Sequence, residues 1–313
     1  MATDVAGGGA PGKRVALVLG AGGARGLAHI GVIEALQSRG FEIAAIAGSS
    51  MGALVGGIHA AGKLDAYRDW ADRLVRNDVL RLLDVTFGAS GLIRGDRVIG
   101  TLKELVGDHR IEGLPIPYVA VATDLATQRE VWFQQGPLFD AIRASIAIPM
   151  VFTPHEVKGR ELVDGGLLAP LPLAATRGFH CDYVVAVDLN ARSPRVPPTE
   201  PVPLRESEMF NDDAPVAPAN WRARMASWFG APAPAAGAAA PAPAGGIGSL
   251  LDLMSRSMDT MHSQMTRLQV AQDPPDLVIR VPRDCASFYE FWRAKELRER
   301  GREIAEQALD DWA

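Results

Sequence analysis

Ser50 sits at the centre of Gly48-Ser49-Ser50-Met51-Gly52, a G-x-S-x-G pattern. A serine nucleophile needs this spacing where a strand turns abruptly into a helix. The corner residue is then strained and exposed, and glycine on either side removes side chains that would clash. Glu42 to Ala47, just before the pattern, is an apolar run suited to a strand, and a helical stretch follows it. The N-terminus of that helix favours negative charge building up on an attacked carbonyl. Ser49 is the neighbouring hydroxyl, but it occupies the x position and not the corner. The alternative for Ser50 is a structural serine in a tight turn.

A glycine-rich loop, Gly20-Ala21-Gly22-Gly23-Ala24-Arg25-Gly26, follows the short apolar strand signal of Arg14 to Leu19. Backbone N–H groups at Gly22 and Gly23 are free to turn into a site and hold an oxyanion. Losing one such donor typically costs about 10²–10³ in rate. Arg25 serves either to order the loop or to meet a lipid phosphate. A dinucleotide loop is the competing reading, but G-x-G-x-x-G fails because Arg25 replaces the last glycine. A looser spacing through Gly26 survives. However, no acidic residue ends the second strand at Ala45 to Ala47 to hold a ribose. The third feature, Asp164-Gly165-Gly166 after Glu161-Leu162-Val163, reads by itself as a turn.

These residues need a frame. Strand, glycine loop, helix, strand, sharp turn and helix succeed one another from Arg14, the rhythm of a parallel sheet covered by helices. The helix after the loop should run from Leu27 to Arg39, with Gly40 where it stops. Asp65 to Leu83 reads as one amphipathic helix. Pro117 to Thr123, Glu130 to Phe133, Tyr183 to Asp188 and Asp276 to Val281 read as further strands, and Phe288 to Ala308 as a charged amphipathic helix. Ile43 to Gly62 carries no formal charge, yet its glycines, serines and His59 suit a buried strand, turn and helix better than a membrane span. Residues 193–248 are dominated by Pro, Ala and Gly and read as a disordered insertion in a single domain of 14–310, after a disordered tail at 1–13. Within the insertion Trp221, Met225, Trp228 and Phe229 alternate with Arg222 and Arg224. They fit a short helix folded back on the domain or an interfacial helix at lipid headgroups.

Of the 313 residues, 48% are hydrophobic, enough for a sizeable core, and the formal net charge is −5. No basic stripe is present to neutralise phosphates, so a nucleic-acid partner is not expected. Cys181 and Cys285 lack metal-ligand spacing and read as two free thiols in a reducing compartment. No secretory signal is legible at the N-terminus, so the expected location is cytoplasmic, with peripheral membrane contact as an option. No carboxylate cluster has the spacing of an oxygen-ligand loop. Neither a metal nor another cofactor is expected.

Taken in order, the motifs resemble the patatin-like phospholipases. The resemblance rests on the glycine loop with Arg25, G-x-S-x-G at Ser50, Asp164-Gly165-Gly166, Val121-Ala122-Thr123-Asp124, and Ile142-Arg143-Ala144-Ser145 running on to Pro149 and Phe152. It covers roughly Arg14 to Asn190 and returns faintly from Leu250 to Leu309. Ala21 stands where many members have a third consecutive glycine, and Gln128 where a glycine is common. The resemblance implies a three-layer α/β/α fold with a central, mostly parallel sheet. It also implies acyl-ester hydrolysis on lipids, with Ser50 as nucleophile and Asp164 as its only catalytic partner.

A free Asp has a pKa near ~4, far from that of a serine hydroxyl, so Asp164 needs burial to serve as base. The alternatives are a regulatory protein that keeps the fold without catalysis, and an esterase triad completed by His180 or His262. His29, His59 and His155 precede Asp164, against the order of such triads, and all six histidines default to structural or surface roles.

Overall fold

The computed structural model describes residues 13–82, 84, 93–191 and 247–312. The expected tail and insertion, with Trp221, Met225, Trp228 and Phe229, lie outside the described residues, apart from Lys13, Ile247 and Gly248. Two compact units divide the chain: Met1–Ser193 with Leu253–Ala313, and Pro194–Asp252. The first holds all the site residues discussed below. The second is described only over its last six residues, as helix.

Among the described residues eight strands form one sheet: β1 (Arg14–Leu19), β2 (Glu42–Ser49), β3 (Tyr118–Asp124), β4 (Arg129–Phe133), β5 (His155–Val157), β6 (Arg160–Asp164), β7 (Tyr183–Ala191) and β8 (Leu277–Pro282). The path through the sheet is β5-β6-β3-β2-β1-β7-β8, and β4 also pairs with β3. The β2–β3, β1–β2, β1–β7 and β7–β8 pairings are parallel; β4, β5 and β6 pair antiparallel. The strand interiors read Val-Ala-Leu-Val-Leu in β1 and Ile-Ala-Ala-Ile-Ala in β2, runs that can be buried on both faces.

Among the described residues the helices are α1 (Ala28–Ser38), α2 (Met51–Ala60), α3 (Leu64–Ala71), α4 (Arg76–Leu82), α5 (Asp96–Val106), α6 (Leu138–Ser145), α7 (Ile247–Gln272) and α8 (Ala294–Trp312). Alternation along β1 separates the two helical layers. Val15, Leu17 and Leu19 face a cluster with residues of α1, α2 and α8. Val18 faces Leu171 and Leu173, with Val270 of α7 packed against them. α1 and α8 approach closely through two glycines: a methyl group on Gly31 would strike the Arg298 carbonyl, and one on Gly301 would strike that of Ala28. Ile43 to Gly62 is most of β2, the turn, α2 and a closing turn, buried as far as Ala61 and not a span.

The single helix expected over Asp65 to Leu83 is two helices. The chain turns at 72–75 and restarts with the Asp78 carboxylate accepting from Val75 N–H at 3.3 Å, half of a capping box. The C-terminal helix begins later than Phe288, after a 3-10 turn at Phe291–Arg293, and runs on to Trp312. There Trp312 stacks on Phe41 and meets the edge of Tyr183.

Candidate active site

Between β2 and α2 the chain bends at Ser50, whose φ of 55° and ψ of −125° are rare for a residue with a side chain. Packing enforces the bend. A methyl group on Gly52 would collide with the Leu19 carbonyl, and one on Gly48 with the Gly52 carbonyl, so both flanking positions must be glycine. Ser145, at the end of α6, pins the corner from outside: its Oγ accepts from Ser50 N–H at 2.9 Å and donates to the Val121 carbonyl at 2.6 Å. Composition and spacing alone do not single out Ser145; its only signal is its place in the Ile142–Ser145 motif.

β3 brings Asp164 to the same corner. β4 runs along one edge of β3 from Ala120 to Asp124, so β2 and β6 share the other edge. Ser49, the last residue of β2, lies opposite Val121; Asp164, the last residue of β6, lies opposite Ala122. The strand ends therefore meet along one ladder. Ser50 Oγ donates to Asp164 Oδ2 at 2.5 Å, and Asp164 Oδ1 accepts from Gly166 N–H at 2.6 Å. Both residues are buried. Burial pushes the Asp164 carboxyl up from 3.8 to about 7, against the opposing pull of the Ser50 and Gly166 hydrogen bonds. Gly165 packs its Cα against the Val121 carbonyl and Ser49 Oγ, which leaves no room for a side chain there.

The glycine loop is tied down along its length. Gly20 N–H donates to the Val187 carbonyl, Ala21 N–H to Pro170 and Ala24 N–H to Phe288. The Gly20 carbonyl meets His29 Nε2 at 2.9 Å, and the Ala21 carbonyl accepts from Asn190 Nδ2 at 2.8 Å. Burial holds His29 down at about 4, with its bond to Gly20 acting the other way, so the ring is neutral. Gly22 and Gly23 N–H find no acceptor among the described residues. Gly23 has a φ of 56° and lies under the Phe288 ring, which fits only glycine.

Arg25 resolves one of its two expected roles. Its guanidinium is 1% exposed and fully engaged: Nε donates to the Gly22 carbonyl at 3.0 Å, one terminal nitrogen to the Arg283 carbonyl at 3.2 Å, the other to Asp259 at 2.6 Å. It orders the loop from inside and is not presented to a phosphate.

Of the two histidines that could have completed a triad, His180 is exposed. His262 is buried, but Ser50 already bonds Asp164 directly, with no imidazole between them. Among the described residues no cluster of His, Cys, Asp and Glu could hold a metal ion.

A serine elbow at the end of β2, an aspartate at the end of β6 and a tied glycine loop meet at one corner of the sheet. The family model described as Patatin-like phospholipase matches residues 17–177, a span that includes Ser50 and Asp164. The chain belongs to the patatin-like phospholipase family. An uncharacterized NTE family protein of Mycobacterium tuberculosis is 44% identical over 347 aligned residues, covering 96% of this chain and 93% of that protein. Lysophospholipase NTE1 of Saccharomyces cerevisiae is 31% identical over 192 residues, 59% of this chain and 11% of that one. Neuropathy target esterase sws of Drosophila melanogaster is 30% identical over 190 residues, 58% and 13% of the two chains. Among solved structures, VipD from Legionella pneumophila is similar at a TM-score of 0.39 and 16% identity, over 96% of this chain and 67% of that one, a likeness too distant to carry an argument.

Proposed function

We propose that this protein is a serine lipid acyl hydrolase that works through an acyl-enzyme on Ser50, with Asp164 as its only proton carrier. The observation that carries the reading is the 2.5 Å hydrogen bond from Ser50 Oγ to Asp164 Oδ2 at a strained elbow. As Oγ adds to the ester carbonyl, its proton passes to Asp164. Gly22 and Gly23 N–H receive the oxyanion, which accounts for two loop amides left without acceptors. Asp164 then gives the proton to the departing alkoxide, and the acyl group stays on Ser50. Water repeats the sequence: Asp164 takes its proton, hydroxide adds to the acyl-enzyme, and Ser50 leaves with the proton restored.

A carboxyl raised to about 7 suits both halves of this cycle, because a base and an acid in turn work best near the ambient pH. Kinship with a yeast protein named lysophospholipase and a fly protein named esterase supports phospholipids, lysophospholipids and simple esters as substrates. Contact with lipid would then be peripheral; no helix among the described residues is long and apolar enough to cross a membrane.

A fluorophosphonate probe tests the reading without knowledge of the natural lipid. Labelling should fall on Ser50 and vanish in both Ser50→Ala and Asp164→Asn. A folded protein that stays unlabelled in buffer and in detergent would favour a fold kept for regulation. Full labelling of Asp164→Asn would remove the dyad.

A further inference from the structure

Helix α7 docks by an unusual stripe. Among the described residues its inward face carries the polar Asp259, His262, Thr266 and Gln269, three and four residues apart, beside apolar Val270, and Asp273 follows just past its end. The outer members of the stripe are satisfied. Asp259 pairs with buried Arg25, Gln269 bonds Leu171 N–H and the Leu168 carbonyl, and Asp273 takes both arms of Arg177. The two central members are not. His262 is 6% exposed and Thr266 is 5% exposed, yet neither imidazole nitrogen nor Thr266 Oγ1 has a hydrogen-bond partner among the described residues. A buried polar group left unpaired carries the desolvation penalty without the return, so each such group calls for an explanation.

The position of the imidazole supplies one. The point where Gly166 would carry a Cβ lies 3.1 Å from His262 Nε2 and 2.9 Å from Asp164 Oδ1. The ring therefore hangs over the Asp-Gly-Gly turn, in the same small space as the carboxylate. It does not share the base's task, because the Ser50 hydroxyl is already bonded to Asp164. Burial also holds His262 down at about 4, with Asp259 and Arg25 as opposing charged neighbours, so the ring is neutral near pH 7. A neutral imidazole has one donor and one acceptor. That pair matches a hydroxyl, which also gives and accepts, and matches an ammonium or a phosphate poorly.

We infer that His262 is a specificity-determining residue that receives a free hydroxyl on the leaving alcohol of the substrate, beside Asp164. The inference rests on the acyl-hydrolase reading above. In that mechanism Asp164 protonates the departing oxygen, so the group beside Asp164 meets the alcohol part of the ester and not the acyl chain. Partial esters of glycerol and other polyols carry a free hydroxyl on the carbon next to the one that bears the departing oxygen; alkyl esters do not.

The test compares two esters of one acyl chain, the 2-hydroxyethyl ester and the propyl ester, on the full chain. The wild-type protein should favour the hydroxy ester in kcat/KM by about tenfold or more. In His262→Phe the loss on the hydroxy ester should exceed the loss on the propyl ester by a similar factor, so that the preference disappears. Equal losses on both esters would make His262 structural and overturn the inference, as would a wild-type ratio near one. Where the Phe variant does not fold, His262→Ala is measured with and without imidazole. Added imidazole should restore the hydroxy-ester rate alone; rescue of both esters or of neither overturns the inference. Turnover without a hydroxyl preference defeats only this inference, whereas no turnover and no labelling of Ser50 defeats the hydrolase reading and this one with it.

Discussion

Replacing Asp164 with Asn should cost the protein its activity and make it more stable at alkaline pH. The folded carboxyl is raised from 3.8 to about 7 by burial, so the folded chain holds this proton more tightly than the unfolded chain. The group's contribution to stability is complete below about pH 4 and drains away as pH rises through about 7. At about 1.4 kcal/mol for each tenfold change in proton affinity, the whole effect comes to about 4 kcal/mol. Between pH 5 and pH 8.5 the wild-type protein should lose about 3 kcal/mol of it. Asn has the shape of Asp and no charge to bury. Its carbonyl can still accept from Gly166 N–H, and its amide can donate to Ser50 Oγ. Urea unfolding of both proteins at the two pH values isolates the group, because every other titration cancels in the difference. The stability difference in favour of the Asp164→Asn variant should widen by about 3 kcal/mol from pH 5 to pH 8.5. A difference constant to within about 0.5 kcal/mol would show that Asp164 does not hold a raised pKa. The same raised pKa predicts that kcat/KM climbs about tenfold per pH unit below 7 and then levels off. A plateau already reached at pH 5 would contradict it.

Ser145→Ala removes the hydroxyl that holds Ser50 N–H and the Val121 carbonyl, and should destabilise by about 1–3 kcal/mol while slowing fluorophosphonate labelling at Ser50. Thermal melting and labelling rate, measured together, check it. Arg25→Met leaves Asp259 unpaired and frees the Gly22 carbonyl, so a loss of about 3–5 kcal/mol is expected in chemical denaturation. Gln128→Gly should be neutral or stabilising by up to about 1 kcal/mol, since Gln128 has a φ of 54° in the turn between β3 and β4. A measurable drop in melting temperature would count against that account.

The Ser50 elbow is legible in the sequence because its cause is local. The collisions that demand Gly48 and Gly52 arise within the turn and the end of β1, and they leave their mark as glycine at fixed spacing. Asp164 is not legible in that way. Asp-Gly-Gly reads as a turn, and only the resemblance points to its role, because its meeting with Ser50 is made by the register of β6 on β3. The two antiparallel partners that set this register are short, and β5, with three residues, has no pattern to detect. Helix α5 also escapes the sequence reading. Its N-terminus is served from afar, by the Asp84 carboxylate accepting from Gly95 and Asp96 N–H, so no capping residue stands next to it. The role of Arg25 stays open at the level of sequence because its partners, Asp259 and the Arg283 carbonyl, lie 234 and 258 residues away.

That distance has a consequence for a chain made from one end. The residues carrying the elbow and the carboxylate all leave the ribosome by Gly166, but the glycine loop is fastened by Asp259, Arg283 and Phe288. A nascent or truncated chain can therefore hold its serine and aspartate while the loop that would receive the oxyanion still lacks its ties at Ala24 and Arg25. Residues Asp259 to Phe288 thus act on the loop as a latch that closes only after the serine and the carboxylate have been made. Labelling of stalled nascent chains with the fluorophosphonate probe should switch on only after Phe288 has emerged.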